Sequence, residues 1–220
     1  MKKKIFISLF ILTAFTLSSC GSRQKKASDT SYSSQQLQSN TVTNLEAAID
    51  GEATASAKYA AYAVKAEAEG LPQIAALFHA TTKAEAIHLK NHLAALKDIG
   101  VANYKPKIAL FKVKTTAENL KEAINGEKYE SVSMYPKFFR DAQSDYEDKA
   151  EKSFKWAMKA EQTHAKLYAA ALANIKNPKK LSKVYYLCPT CGGVYVVRPI
   201  KECDICGTPS EKFVTFAATR

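Results

Sequence analysis

Apolar and polar residues recur through the middle of the chain with the period of an α-helix. Ile74, Leu77, Phe78, Thr81, Leu89, Leu93 and Leu96 share one helical face, and Glu85 and His88 sit inside that stripe. Phe154, Met158, Ala165, Tyr168 and Leu172 form a second stripe, interrupted in the same way by Glu161 and His164. A third runs Leu45, Ile49, Glu52, Ser56, Tyr59, and a fourth carries Glu127 and Glu130 between Ile124 and Met134. Start signals bracket these runs. Thr43-x-x-Glu46, Thr115-x-x-Glu118 and Ser144-x-x-Glu147 have the form in which a hydroxyl and a carboxylate satisfy orphan amides at a helix start. Gly70 followed by Pro72 closes one helix and opens the next. The pattern predicts helices over 44–69, 72–98, 116–143 and 145–175, with a long link over 99–115. The fold class is mainly α: a four-helix bundle over residues 43–177 with a long crossover between its second and third helices, then a small module over 178–220.

Before the bundle the pattern is different. Lys2, Lys3 and Lys4 precede an apolar run from Ile5 to Leu17 that is too short for an ordinary membrane-spanning helix, which reads as an export signal over residues 1–19. Leu17-Ser18-Ser19-Cys20-Gly21 resembles the lipobox of bacterial lipoproteins, and that resemblance implies acylation of Cys20. Residues 20–42 follow as an acylated cysteine and a tether of Ser, Gln, Thr and Lys with too little apolar content to offset the entropy of ordering. As a flexible coil the tether would reach roughly 25 Å. The expected location is therefore outside the cytoplasm, lipid-anchored to a bacterial membrane.

The bundle carries an internal repeat. Asn44-Leu45 through Gly51-Glu52 recurs as Asn119-Leu120 through Gly126-Glu127, and Lys83-Ala84-Glu85-x-x-His88 recurs as Lys159-Ala160-Glu161-x-x-His164. Two such helical hairpins are expected to pack as pseudo-twofold halves. The polar residues repeat best, and they lie on the inward faces. Four helices thus aim Glu52, Glu85, Glu127, Glu130, Glu161, His88 and His164 at one core. Five ionised carboxylates in a dry interior would cost several kcal/mol apiece, and no Lys or Arg shares their stripes. Cations have to sit among them. Two divalent metals supply +4 against −5, and two trivalent metals bridged by an oxide again give +4, so this charge balance survives a redox cycle.

The C-terminal module holds two C-x-x-C knuckles, Cys188-Pro189-Thr190-Cys191 and Cys203-Asp204-Ile205-Cys206. Four thiolates so spaced favour a tetrahedral metal site, though spacing by itself leaves zinc, iron and a pair of disulfides all open. Tyr186, Tyr195, Phe213 and Phe216 supply the apolar mass for a small core around it.

Together these motifs resemble the rubrerythrin family over about residues 43–218. The two E-x-x-H pairs with Glu52 and Glu127 look like the di-iron ligand set of the ferritin-like superfamily. Glu127-x-x-Glu130 adds the further carboxylate typical of rubrerythrins, and Ala55 stands where symmetry would put its counterpart. The resemblance implies a ferritin-like bundle followed by a rubredoxin-like iron domain bound by Cys188, Cys191, Cys203 and Cys206. It implies Glu85 and Glu161 as bridges, Glu52, Glu127 and His164 as terminal ligands, and Glu130 and His88 as alternates on one iron. Tyr59 and Tyr135 match family tyrosines beside the cluster. The implied activity is peroxidase: hydrogen peroxide reduced to water in oxidative-stress defence, with electrons passing from an unidentified donor through the cysteine-bound iron. A homodimer or higher homo-oligomer is expected, with the electron inlet often on the neighbouring subunit. A ferroxidase or iron-storage protein, and an electron-transfer lipoprotein without peroxide turnover, are the alternatives.

Charge narrows the partners. The formal +11 falls to +8 once the three leader lysines are removed, and the remaining lysines are scattered along helices without interleaved aromatics. That distribution does not make a nucleic-acid groove.

Overall fold

The computed structural model describes residues 39–219. The export signal, Cys20 and nearly all of the tether lie outside the described residues. Helix α1 spans Asn40–Ala68 and α2 spans Pro72–Asp98. Thr116–Tyr129 (α3), a five-residue π-helical segment Glu130–Met134 and Tyr135–Ser144 (α4) follow one another without a break as the third rod of the bundle. The fourth is α5, Asp148–Ala173. Among the described residues no helix is long and apolar enough to cross a membrane.

Helix starts only partly follow the expected caps. Thr115 and Glu118 form the full reciprocal box. The Thr43 box is not used, because the first helix begins earlier: the Ser39 hydroxyl accepts from Val42 N at 3.2 Å, and Thr41 gives its amide and hydroxyl to Asp145. Ser144 belongs to the end of α4 instead of starting α5. Tyr146 turns the chain at φ +58, and α5 begins after Glu147 without a side-chain cap bond. At the first hairpin Gly70 takes φ +70, and Pro72 opens α2 as expected.

The crossover is extended and strapped to α1. Lys107 N donates to Asp50 Oδ1 at 2.9 Å, Tyr104 donates its hydroxyl to Asp50 Oδ2, and Ala109 N donates to Thr54 Oγ1 at 3.0 Å. The bundle interior has two apolar regions. Tyr59, Tyr62, Leu77, Phe78, Leu120 and Tyr168 fill one, while Leu45, Ile49, Leu96, Tyr135 and Phe154 fill the other. The polar stripe residues lie between them.

The C-terminal module is a three-stranded antiparallel sheet, β1 Val184–Leu187, β2 Val194–Tyr195 and β3 Val214–Ala217, in the order β2-β1-β3. Tyr186 pairs with Tyr195, and Tyr185 with Phe216. Its apolar face is shared with the bundle: Tyr185, Leu187 and Val194 join the same buried region as Leu77, Phe78 and Ala84. Tyr185 is thus a docking residue that the aromatic count around the cysteines did not include, whereas Phe213 is buried beside the cysteines as expected.

Candidate metal centre

Each carboxylate reaches the centre from its own helix, and each is at most 1 % exposed for Glu52, Glu85, Glu127 and Glu161. Their oxygens and two imidazole nitrogens form two overlapping groups, Glu52, Glu85, His88, Glu161 and Glu85, Glu127, Glu161, His164, with ligand atoms within 4.8 Å of one another. Glu85 and Glu161 belong to both. Glu161 places Oε1 2.8 Å from His88 Nδ1 and Oε2 2.6 Å from His164 Nδ1. Glu85 places Oε2 2.9 Å from His88 Nδ1 and Oε1 3.5 Å from His164 Nδ1. Two carboxylates thus span the gap between two equivalent positions, with Glu52 at one end and Glu127 at the other.

The hydrogen-bonding partners of the imidazoles fix their chemistry. His88 Nε2 lies 3.0 Å from the Cys191 carbonyl, and His164 Nε2 lies 3.0 Å from the Gly192 carbonyl. A carbonyl only accepts, so each Nε2 carries a proton, and each Nδ1 faces the carboxylates as the ring atom able to hold a metal. Those Nδ1 atoms, with Glu52 Oε2, Glu127 Oε2 and both oxygens of Glu85 and Glu161, have no hydrogen-bond partner. Buried polar atoms left in this state are costly, and metal ions are the partners that suit this donor set. Electrostatics agrees. Burial opposes charge on His88 and His164, yet Glu161 and its neighbours outweigh it and push both well above the ordinary imidazole value. Burial, then Glu127 beside Glu85 and Glu85 beside Glu161, pushes those two carboxyls up. Glu52 moves the other way, because His88 and His92 outweigh its burial and hold it below the usual carboxylate range.

Glu130 stands apart, and neither ligand group includes it. It begins the π-helical segment and lines an open cavity of about 420 Å³ together with Ala55, Tyr59, Gly126 and Lys107. Burial, then Glu52, Glu127, Glu161 and Glu85, pushes its carboxyl well above the usual range. Ala55, the small residue at the symmetry-related position, leaves room for the cavity. Tyr59 donates to Glu127 Oε1 at 2.6 Å, and Tyr135 donates to Glu52 Oε1.

His92 was not foreseen. It is fully buried, 3.1 Å from the Tyr135 hydroxyl through Nε2 and 2.8 Å from Ser153 Oγ through Nδ1. Its place one helical turn beyond His88 was the available signal, but it lacks the repeat partner that picked out the other two histidines.

Cys188, Cys191, Cys203 and Cys206 converge in the second site. Cys188 and Cys206 Sγ are 3.5 Å apart, as are Cys191 and Cys203 Sγ, and all four are free thiols. A disulfide needs sulfurs about 2.05 Å apart. The edge of a tetrahedron with metal–sulfur bonds of about 2.3 Å is roughly 3.8 Å, close to the separation seen. The knuckle holding Cys191 sits directly on the bundle of its own chain, where Asn91 Nδ2 also donates to the Thr190 carbonyl at 2.9 Å. The cysteine site, whose approach was expected from a neighbouring subunit, here lies against the carboxylate–histidine site within one chain. Gly192 permits this: at φ +79, a Cβ there would lie 2.3 Å from His88 Nε2.

The rubrerythrin family model matches residues 43–172. Nigerythrin of Nitratidesulfovibrio vulgaris is 38% identical over 177 residues, covering 80% of this chain and 87% of its own. Rubrerythrin-2 of Clostridium acetobutylicum is 37% identical over 174 residues, covering 78% and 94%. The structure of fully reduced, all-ferrous nigerythrin superposes with a TM-score of 0.75 at 39% identity, covering 80% of this chain and 86% of that one. With a carboxylate–histidine site for two irons and a four-cysteine site for a third, the chain belongs to the rubrerythrin family of di-iron oxidoreductases.

Proposed function

We propose that this protein is a peroxidase that reduces hydrogen peroxide to water, drawing electrons from an external donor through the cysteine-bound iron. The observation that carries this reading is the pair of contacts from the Cys191 and Gly192 carbonyls to His88 and His164, which join the cysteine site to both halves of the carboxylate site. A storage protein has no use for such a junction.

Bound iron supplies the two electrons and Lewis acidity at the departing oxygen. The protein's own residues do the rest. Glu85 and Glu161 would be shared between the two irons, Glu52, Glu127 and His164 would each hold one of them, and His88 and Glu130 would serve one position in alternation. In the geometry described, His88 faces that position while Glu130 stands at the cavity. The cavity at Glu130 and Ala55 admits the peroxide, and the aromatic residues around the site exclude bulk water. Tyr59 and Tyr135 hold the terminal carboxylates in place. A homo-oligomer is part of this proposal. So are the exported location and the acylated Cys20, which the leader and lipobox pattern supports; loss of lipid labelling in Cys20→Ala would bear that out, and normal labelling would count against it.

Anaerobically reduced protein should be oxidised rapidly by hydrogen peroxide and slowly by air, with about three irons per chain. Fast oxidation by air with accumulation of ferric mineral would make the protein a ferroxidase. Inertness to peroxide would leave an electron-transfer lipoprotein.

A further inference from the structure

We propose that Ser153, His92 and Tyr135 form a directional hydrogen-bond wire that carries protons from a surface cavity to the Glu52 end of the metal centre. This rests on the peroxidase reading: each hydrogen peroxide reduced to two waters takes up two protons along with two electrons. The cavity at Glu130 can admit the substrate, but none of the residues described so far brings protons in.

The direction of the wire follows from what each group can donate. The Tyr135 hydroxyl donates to Glu52 Oε1, an oxygen of a carboxylate that would hold a metal and so only accepts. The Tyr135 oxygen is then free to accept from His92 Nε2 at 3.1 Å, which places the imidazole proton on Nε2. The wire takes His92 as the neutral ring, the form that full burial favours. A neutral imidazole has one N–H, so Nδ1 is bare and accepts from Ser153 Oγ–H at 2.8 Å. Each link donates inward. Tyr135 and His92 are fully buried, while Ser153 lines a cavity of about 200 Å³ with Asn91, Lys149, Lys152 and Trp156. That cavity shares no lining residue with the one at Glu130. Substrate and protons would thus arrive by separate routes.

Transfer moves each hydrogen one place along the wire. Tyr135 gives its proton to Glu52, which passes it to the oxygen becoming water. Tyr135 recovers a proton from His92 Nε2, His92 takes one on Nδ1 from Ser153, and Ser153 takes one from solvent in the cavity. Every member ends neutral, with the imidazole in its other tautomer. The second proton follows once the ring and hydroxyls have returned to their starting hydrogen-bond pattern.

Ser153→Ala and His92→Phe in the full-length, iron-loaded protein cut the wire at its outer end and its middle. Both should slow oxidation of the reduced protein by hydrogen peroxide at least about tenfold, the low side of what a positioned proton donor contributes. Oxidation by ferricyanide, which needs an electron but no proton, should keep its wild-type rate, whereas a merely structural defect would slow both. Ser153→Thr, which keeps the hydroxyl, should restore the peroxide rate. Independently of turnover, side-chain ¹⁵N shifts of His92 in the full chain loaded with diamagnetic zinc should show a protonated Nε2 and a bare Nδ1. The opposite tautomer or a doubly protonated ring overturns the wire. So do unchanged peroxide rates in both variants when the wild type reacts. If peroxide leaves the wild type unoxidised, the peroxidase reading falls and proton delivery falls with it.

Discussion

The Tyr59 hydroxyl on α1 donates to Glu127 on α3 at 2.6 Å, and Tyr135 on α4 makes the reciprocal bond to Glu52 on α1. Each half of the bundle therefore orients a carboxylate of the other, and the two bonds form a pseudo-twofold pair across the metal centre. The pair is unequal in one respect. Tyr59 bonds Glu127 alone, whereas Tyr135 also accepts from His92.

That inequality predicts different costs for the same deletion. Tyr135→Phe leaves a buried imidazole N–H without an acceptor as well as removing the bond to Glu52, so it should destabilise the protein by about 1–2 kcal/mol more than Tyr59→Phe. Thermal unfolding of the two variants at matched iron content measures the difference. Equal midpoints would show that His92 finds another partner.

Gly192→Ala should separate binding of the cysteine iron from its use. A Cβ 2.3 Å from His88 Nε2, on a residue at φ +79, forces the knuckle off the bundle or the imidazole out of place. The cysteine-site spectrum should be unchanged while donor-driven reduction of the carboxylate site slows severalfold. Full-speed transfer in this variant would mean that the carbonyl contacts are not the route.

Ala55→Leu should narrow the cavity beside Glu130 without touching a ligand. Its effect is expected to depend on the oxidant, with a bulky alkyl hydroperoxide losing more rate than hydrogen peroxide and ferricyanide losing none. Stopped-flow rates with the three oxidants give the ratio, and a uniform loss would place the entry elsewhere.

Removing the metals should reverse the usual response of a carboxylate-rich protein to pH. Without cations, Glu85, Glu130 and Glu161 carry raised pKa values and favour their neutral forms in the folded state. A raised acid stabilises the fold below its unfolded value, near 4.5, and that contribution is lost as pH rises toward the folded value. His88 and His164 are also raised and lose their contribution in the same direction, from about 6.5 upward. Glu52 is lowered and opposes this only below the ordinary carboxylate range. Metal-free protein should therefore melt at progressively lower temperature as pH rises from mildly acid to alkaline, and iron-loaded protein should not. Parallel melting curves for the two forms would contradict the cluster electrostatics.

The sequence made the bundle, the crossover and six of the seven inward polar residues legible because helical periodicity and an internal repeat report the same faces twice, while Glu130, with Ala55 at its repeat position, stands at the cavity instead. Local capping chemistry was less informative. Thr43 and Ser144 each match a start motif, but contacts distant in sequence, such as Thr41 to Asp145, decided where the helices begin. The π-helical segment was hidden in a small irregularity. Glu52 and Glu127 are 75 residues apart, while Tyr59 and Tyr135, their reciprocal partners, are 76 apart. One extra residue between Glu127 and Tyr135 is what a π-bulge accommodates, and here it spans Glu130–Met134. His92 escaped notice because burial and long-range bonding, neither visible in spacing, distinguish it from a core residue.

The seating of the Cys191 knuckle on its own bundle bears on kinetic order. When donor and acceptor belong to separate molecules, their encounter slows on dilution. Here both sites belong to one chain, so on the proposed electron route the effective concentration of the junction is set by the fold and not by the amount of protein present. Electron passage between the two sites should be unimolecular, with the same half-time across a wide range of dilution, and a scarce protein would carry out this internal step as fast as an abundant one.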